Sequence, residues 1–494
     1  MQSTLTSKSI FQNWQVPVMF LIFFGIRALS FLLVDQMIIQ AILVFLILMT
    51  LGILYFKNPD WAFYLVLGEL FLGGSGHYLE FINLSIRALL IITFILLWTL
   101  YAIGNQKLLQ NIDLNKKFSV ILFVFYLFLI ISIISGIRYD HAVVSIIQDL
   151  IPFLYLPLLF PAYHLLSKPK TQEYFIRLLI VFLISSAVFS LFTFILFSTG
   201  IVELQEPFYK WFRDVSMGKI TNMGAGFFRV VLPEHLLITP IILIISSLLM
   251  RDEKHHKMWR FLLFLASIIL VINLSRIYFV AIIVGLIVLK YKHLWKRWFI
   301  ISTTTLGLIF LIFTSLFLIS SGGKSLGLEL FGIRISSIAS PHIEESSATR
   351  IMIFPEALKM IGTAPILGQG LGASITFLNT VTYKQITTRQ FDWGYLEMMV
   401  ELGILGSLAL VSFIFFAIWK LIEKINHAPD WHDFYVGLLA SIVAFLIINI
   451  TSPAIFHVFG IFFFVFTLAI ALQPMDIFDR LINILYRIFN RIEQ

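Results

Sequence analysis

Cysteine is absent from the 494 residues, which excludes disulfides, thiol catalysis and cysteine-based metal sites. Charge is scarce as well, with Asp, Glu, Lys and Arg making only 13% of the chain. No soluble domain, low-complexity tract or internal repeat is legible, and the missing repeat argues against a transporter assembled from duplicated halves. What fills the chain is apolar: 59% of residues are hydrophobic, 51 of them Phe, and mean hydropathy is +0.95. Apolar residues rarely exceed about half of a soluble domain, so lipid must solvate most of this protein.

A bilayer core of roughly 30 Å takes about 20 apolar helical residues. That ruler predicts spans near 17–34, 37–56, 61–72, 81–103, 118–137, 142–166, 174–198, 233–250, 259–273, 276–290, 298–319, 393–419, 433–450 and 453–472. The expected fold is an all-α polytopic membrane protein of about fourteen transmembrane helices. Net charge is +8, yet the basic residues sit in short loops between spans, so they read as orientation signals and not as a nucleic-acid surface. Lys57, Lys107, Lys116, Lys117, Lys168, Lys170, Arg251, Lys254, Lys257, Lys290, Lys292, Lys296, Arg297, Lys420 and Lys424 fall in alternate loops. The positive-inside rule makes that side the cytoplasm.

The first apolar run, from Val18, has no small-residue cleavage site before the next, which predicts an uncleaved membrane helix. The divisions are 1–319 (N-terminal membrane helices), 320–392 (a long outer loop), 393–472 (C-terminal membrane helices) and 473–494 (a cytoplasmic amphipathic tail lying on the membrane). A loop as long as 320–392 is usually functional or disordered. Helical spacing after Arg350 and the turn built from Pro365, Gly368, Gly370 and Gly372 predict that this one is folded.

Positive charge on the outer side is the informative minority. Arg229 precedes the span at 233, Arg276 follows Asn-Leu-Ser between two spans, and Arg350 opens the loop helix. A guanidinium makes forked, charge-assisted bonds to phosphate, and an interfacial arginine is costly unless it has such a partner. Each could equally pair with an acid such as Glu234, Glu356 or Glu397. Asp392, at the mouth of the next span, is the candidate base; capping the helix before Trp393 is its structural alternative. His77 and Glu80 form a second outer cluster, read mainly as loop residues, and His255–His256 reads as cytoplasmic surface. His141, His342 and His457 lack metal-ligand spacing, and no acidic pair of the metal-dependent transferase kind is present. No cofactor or metal is expected.

Four stretches resemble the O-antigen ligase and polymerase family of bacterial polysaccharide assembly: RVVLPEHLLITP, NLSRIYFVAIIVGL, TRIMIFPEALKMIGTAPILGQGLG and DWGYLEMMVELGILG. Together with the closing span after Thr451-Ser452-Pro453 they cover roughly 221–472. The resemblance implies a GT-C-like helical fold and a metal-independent, inverting glycosyl transfer outside the cytoplasm. The donor would be an oligosaccharide on undecaprenyl diphosphate, with Arg276 and Arg350 on the diphosphate and Asp392 as base. Arg229, Gly368, Gly370, Gly372 and Tyr395 would contact substrate. A flippase and a chain-length regulator would be companions, and the location would be the bacterial inner membrane. Ligases of this family usually carry histidine before Tyr-Leu; Asp392 at that position favours a polymerase. The remaining alternatives are a ligase acting on a lipid core, and a flippase or transporter for the same lipid-linked glycan.

Overall fold

The computed structural model describes residues 15–82, 84–105, 116–251, 256–339, 345–379, 384–427 and 432–473. The tail helix expected from Phe478, together with Lys107, Lys254, His255 and His342, lies outside them.

The chain opens with α1 (Gln15–Leu32), α2 (Met37–Lys57) and α3 (Pro59–Leu72), the last capped by the Asn58 side chain accepting from Asp60 N. A two-residue hairpin, β1–β2 (Glu80–Phe81, Leu84–Ser85), leads to α4 (Ile86–Gly104). Next come α5 (Lys116–Arg138) and α6 (Val143–Leu150), which runs through a 3-10 segment (Ile151–Leu158) into α7 (Leu159–Leu165). Pro152 and Pro157 lack the amide hydrogens a continuous helix would use. After α8 (Pro169–Ser198), the outer connection holds α9 (Pro207–Asp214) and the antiparallel hairpin β3–β4 (Lys219–Asn222, Phe228–Val231).

A 3-10 turn (Pro233–Leu237) starts α10 (Ile238–Leu249), followed by α11 (His256–Asn273), α12 (Arg276–Val288) and α13 (Trp295–Ser320). The long connection folds as α14 (Leu328–Ala339), α15 (Glu345–Thr363) and the hairpin β5–β6 (Ile375–Asn379, Lys384–Thr388). The chain closes with α16 (Gly394–His427), α17 (His432–Ile448) and α18 (Val458–Leu472).

A helix stands at every stretch expected as a span. Among the described residues, eight helical stretches are long and apolar enough to cross a membrane, and four more apolar ones are shorter. This is a multi-pass membrane protein. The three small hairpins are an addition to the all-α expectation. One apolar cluster runs from Val16 in α1 to Ala471 in α18. A second belongs to the long connection and joins Ile353 and Ala357 of α15, Ile375 and Phe377 of β5, Phe391 and Val400.

The turn from Pro365 to Gly372 is inserted into a break in α16. Gly403 has φ +64° and ψ −174°, which interrupts the helix and strands backbone groups on both sides. The turn satisfies them. Ile404 N and Leu405 N donate to the carbonyls of Pro365 (2.9 Å) and Ile366 (3.2 Å). Val400 O and Glu401 O accept from Gln369 N (2.7 Å) and Gly370 N (3.1 Å). A Cβ at Gly368 would stand 2.5 Å from Gly403 N, and one at Gly370 would stand 2.0 Å from Gly136 N in α5. These glycines were expected to let backbone approach a glycan; the backbone they approach is the protein's own.

Gly370→Ala and Gly403→Ala therefore meet both a left-handed backbone and a clash with rigid main chain, at a cost of at least ~1–3 kcal/mol each. Thermal aggregation of the detergent-solubilised variants should begin at clearly lower temperature. Gly307→Ala, where an added Cβ meets nothing within 4 Å, should match the wild type.

Candidate functional site

The long connection returns to the membrane at Asp392, whose φ of +55° places it in the left-handed region that aspartate tolerates better than most residues. The helix begins at Gly394, so Trp393 flanks its first residue, and the capping alternative for Asp392 loses its position. Trp393 Nε1 donates to the Arg350 carbonyl at 3.0 Å and its ring meets Phe354 edge-on, which fixes α15 against the mouth of α16. Arg350 and Asp392 then face each other, Nη2 to Oδ2 at 3.9 Å. That is an electrostatic contact, too long for a hydrogen bond. Burial raises the Asp392 carboxyl above its ordinary range, opposed first by the Arg350 guanidinium and then by Lys219.

Lys219 links this pair to the other expected arginines. In the β3–β4 register Lys219 pairs with Val231 and Thr221 with Arg229, so Lys219 and Arg229 share one face of the hairpin. Ile220 and Val230 occupy the other face and are buried. Arg229 Nε donates to the Asn273 carbonyl at 2.7 Å. Asn273 ends α11, and Arg276 opens α12 three residues later, after Leu274 turns the chain with φ +45°. Asn273 is itself held: its amide reaches His235 Nδ1 at 3.1 Å, and His235 Nε2 reaches Ser190 of α8 at 3.0 Å. The structure thus brings Arg350 and Asp392 into direct contact. Arg229 bonds instead to the α11–α12 junction that carries Arg276, while Lys219 on its hairpin face acts on Asp392 by charge.

On the far side of the α16 mouth lies a polar cavity of about 360 Å³, lined by Asp149, Arg389, Gln390, Glu397, Glu401 and His457 among others. Arg389 binds both Asp149 and Gln148, and Asp149 Oδ2 accepts from Gly372 N at 2.9 Å. Glu397 Oε2 accepts from Phe391 N at 3.4 Å, which ties the cavity lining to the residue before Asp392. His457 caps α18 by accepting from Phe459 N at 3.3 Å.

Residues 261–411 match the Wzy_C family model, described as O-antigen ligase. Over these residues the chain is similar to the O-antigen ligase/polymerase family. The matched region contains Arg276, Arg350, the glycine turn, Asp392 and Tyr395. No curated protein matches the sequence.

The other expected contacts are arranged differently. The Tyr395 hydroxyl donates to the Leu446 carbonyl at 2.8 Å, tying α16 to α17. Glu234, one acid offered to the arginines, is taken by Arg27 of α1 at 2.9 Å, and Glu356 by Lys359 at 2.8 Å. His77 and Glu80 pair with each other at 2.7 Å. His141 Nδ1 donates to the Leu371 carbonyl at 2.8 Å and steadies the glycine turn.

Sequence reasoning passed over Lys219, Asp149, Arg389 and Glu401. Two signals were there: Lys219 and Arg389 are basic residues on the expected outer side, and Asp149 is an acid inside an apolar run.

Asp392 has its carboxyl raised by the fold, so the stability it contributes is full below the ordinary value of about 3.9 and is lost as pH rises through the raised one. Asp392→Asn should therefore melt above the wild type at pH 7, with the difference shrinking as pH falls through the raised value and gone below about 4. Arg350→Ala removes the larger opposing charge and should move this crossover to higher pH. Melting curves taken across pH decide the sign; a less stable Asn variant at pH 7 would contradict it.

Proposed function

We propose that the protein is a polysaccharide polymerase-like glycosyltransferase that joins undecaprenyl-diphosphate-linked repeat units at the outer face of the cytoplasmic membrane. The observation that carries this reading is the Arg350–Asp392 pair, 3.9 Å apart within the family-matched region. An inverting transfer needs a base for the acceptor hydroxyl and, across the anomeric carbon, fixed positive charge for the departing diphosphate; Arg350 would swing away from Asp392 to take the diphosphate and leave the carboxylate to the acceptor.

In the proposed step the acceptor oxygen forms a bond to the anomeric carbon while that carbon's bond to the diphosphate oxygen breaks. The hydroxyl proton passes to the Asp392 carboxylate, and the bond electrons leave with the lipid diphosphate, whose charge Arg350, Arg276 and Arg229 stabilise. Lys219 is a fourth cation on the same hairpin face as Arg229. A raised carboxyl suits the base because proton transfer is most efficient when its pKa approaches the operating pH. The neighbouring cavity, with its carboxylates, amides and the rings of Phe153 and Phe456, has the volume and polarity to seat a sugar. The GT-C-like architecture and the inner-membrane location belong to the same proposal.

The description of the matching family favours a second reading, transfer of a finished glycan to a lipid core. The two differ only in the acceptor. Purified protein in detergent, given lipid-linked repeat units alone, should produce a ladder of longer glycans; activity that appears only with a lipid-core acceptor selects the ligase. A transporter yields no new glycosidic bond in either assay.

Asp392→Asn, Arg350→Ala and Arg276→Ala should each lower transfer by at least about 100-fold while remaining in the membrane. Arg350→Lys should also be damaging, since a point charge does not replace a planar fork. Product ladders resolved on gels measure both, and a normal ladder from Asp392→Asn removes the base.

A further inference from the structure

At the end of the bundle opposite Asp392, three side chains form a compact donor set that the transfer reaction does not use. We infer that His293, His432 and Asp433 make a binding site for a divalent transition-metal ion of the zinc class. The inference is independent of the proposed transfer.

His293 lies in the short connection between α12 and α13, and His432 and Asp433 open α17. His293 Nε2 is 2.7 Å from Asp433 Oδ1, and His432 Nε2 is 2.9 Å from the same oxygen. The donor atoms of all three residues lie within 4.8 Å of one another. His293 and Asp433 side chains are only 4% and 5% exposed, whereas His432 is 31% exposed and leaves a way in for an ion.

The hydrogen-bond chemistry asks for a cation. His293 Nδ1 is 2.6 Å from the Leu289 carbonyl, which can only accept, so Nδ1 carries the proton. A neutral ring then directs its Nε2 lone pair at a carboxylate oxygen, acceptor against acceptor. Only a second proton or a metal ion between them resolves the contact. The second imidazole, aimed at the same oxygen, adds a second nitrogen to the donor set. Anchoring a ligand's other nitrogen on a backbone carbonyl is also how metal-binding histidines are oriented.

Two imidazoles and a carboxylate are the donors zinc-class ions take, at about 2.0–2.2 Å each, with the fourth position left to water. Tetrahedral donors at those lengths stand about 3.3 Å apart, so the set must open by roughly half an ångström on loading. His432, at the first residue of its helix, can supply that movement. Around the site, Lys290 Nζ donates to the His293 carbonyl at 3.1 Å and Ser247 Oγ to the Asp433 carbonyl at 2.5 Å. A bound ion would fasten the α12–α13 connection to α17, where the sequence led us to expect none.

The full chain, carrying an affinity tag without histidine and stripped with chelator, is titrated with Zn²⁺ in detergent. About one ion per chain should survive desalting, and melting should shift upward with the ion bound. His432→Ala, chosen because the residue is partly exposed, should weaken binding by at least about tenfold, as should His293→Ala. Equal zinc retention by both variants and the wild type would falsify the site. So would a wild type that keeps no ion and whose melting follows pH alone, which assigns the cluster to a protonated histidine–aspartate pair. The readouts are metal content and melting, so failure here leaves the glycosyl transfer untouched, and the reverse.

Discussion

Everything at the outer end of this molecule depends on four backbone hydrogen bonds between the Pro365–Gly372 turn and the break in α16 at Gly403. A helix interrupted inside an apolar bundle exposes donors and acceptors to surroundings that cannot satisfy them, at several kcal/mol each. The turn supplies the missing partners. In doing so it fixes how α15 and the β5–β6 hairpin are hung beside the mouth of α16. His141, between α5 and α6, and Asp149 of α6 then clasp the turn through Leu371 O and Gly372 N. The mouth at which Asp392 stands is therefore defined by main chain, which holds geometry more tightly than side chains on a loop.

Around that mouth the charges are divided between two compartments. Asp392 faces Arg350 and Lys219, while the carboxyls of Asp149, Glu397 and Glu401 face Arg389 in the adjoining cavity. The Phe391 backbone donates to Glu397 between them. Separating the acids in this way leaves Asp392 as the carboxylate that meets the arginine-rich side. It also gives the neighbouring space a polar lining in an otherwise apolar fold.

The N-terminal helices, which resemble the family only as a stack of helices, are bound to this arrangement by buried ion pairs. Arg27 of α1 reaches Glu234 next to β4, and Arg87 of α4 reaches Glu69 of α3 at 2.9 Å. Pairs so deeply buried contribute little net stability, but removing one partner strands a charge in the bundle. The Arg27–Glu234 pair thus couples α1 to the strand that carries Arg229. His235, one residue on, couples α8 to the α11–α12 junction through Ser190 and Asn273.

The sequence alone determined the lipid-facing character and the helix positions, because runs of about 20 apolar residues have few other solutions. It also pointed to Arg350 and Asp392, since charges at the expected outer boundary are rare enough to stand out against the apolar background. The family resemblance drawn from the same residues agrees with the match over 261–411. Glycine spacing announced a turn but not its neighbour: only the folded chain shows that Gly368 and Gly403 meet, thirty-five residues apart. Lys219, Asp149 and Arg389 were hidden for the same reason, as was the His293–His432–Asp433 cluster, whose members are separated by about 140 residues. Hydrophobic periodicity is a local property and survives in a one-dimensional string. Which polar side chains converge is fixed by how helices pack, and that was decided only in three dimensions.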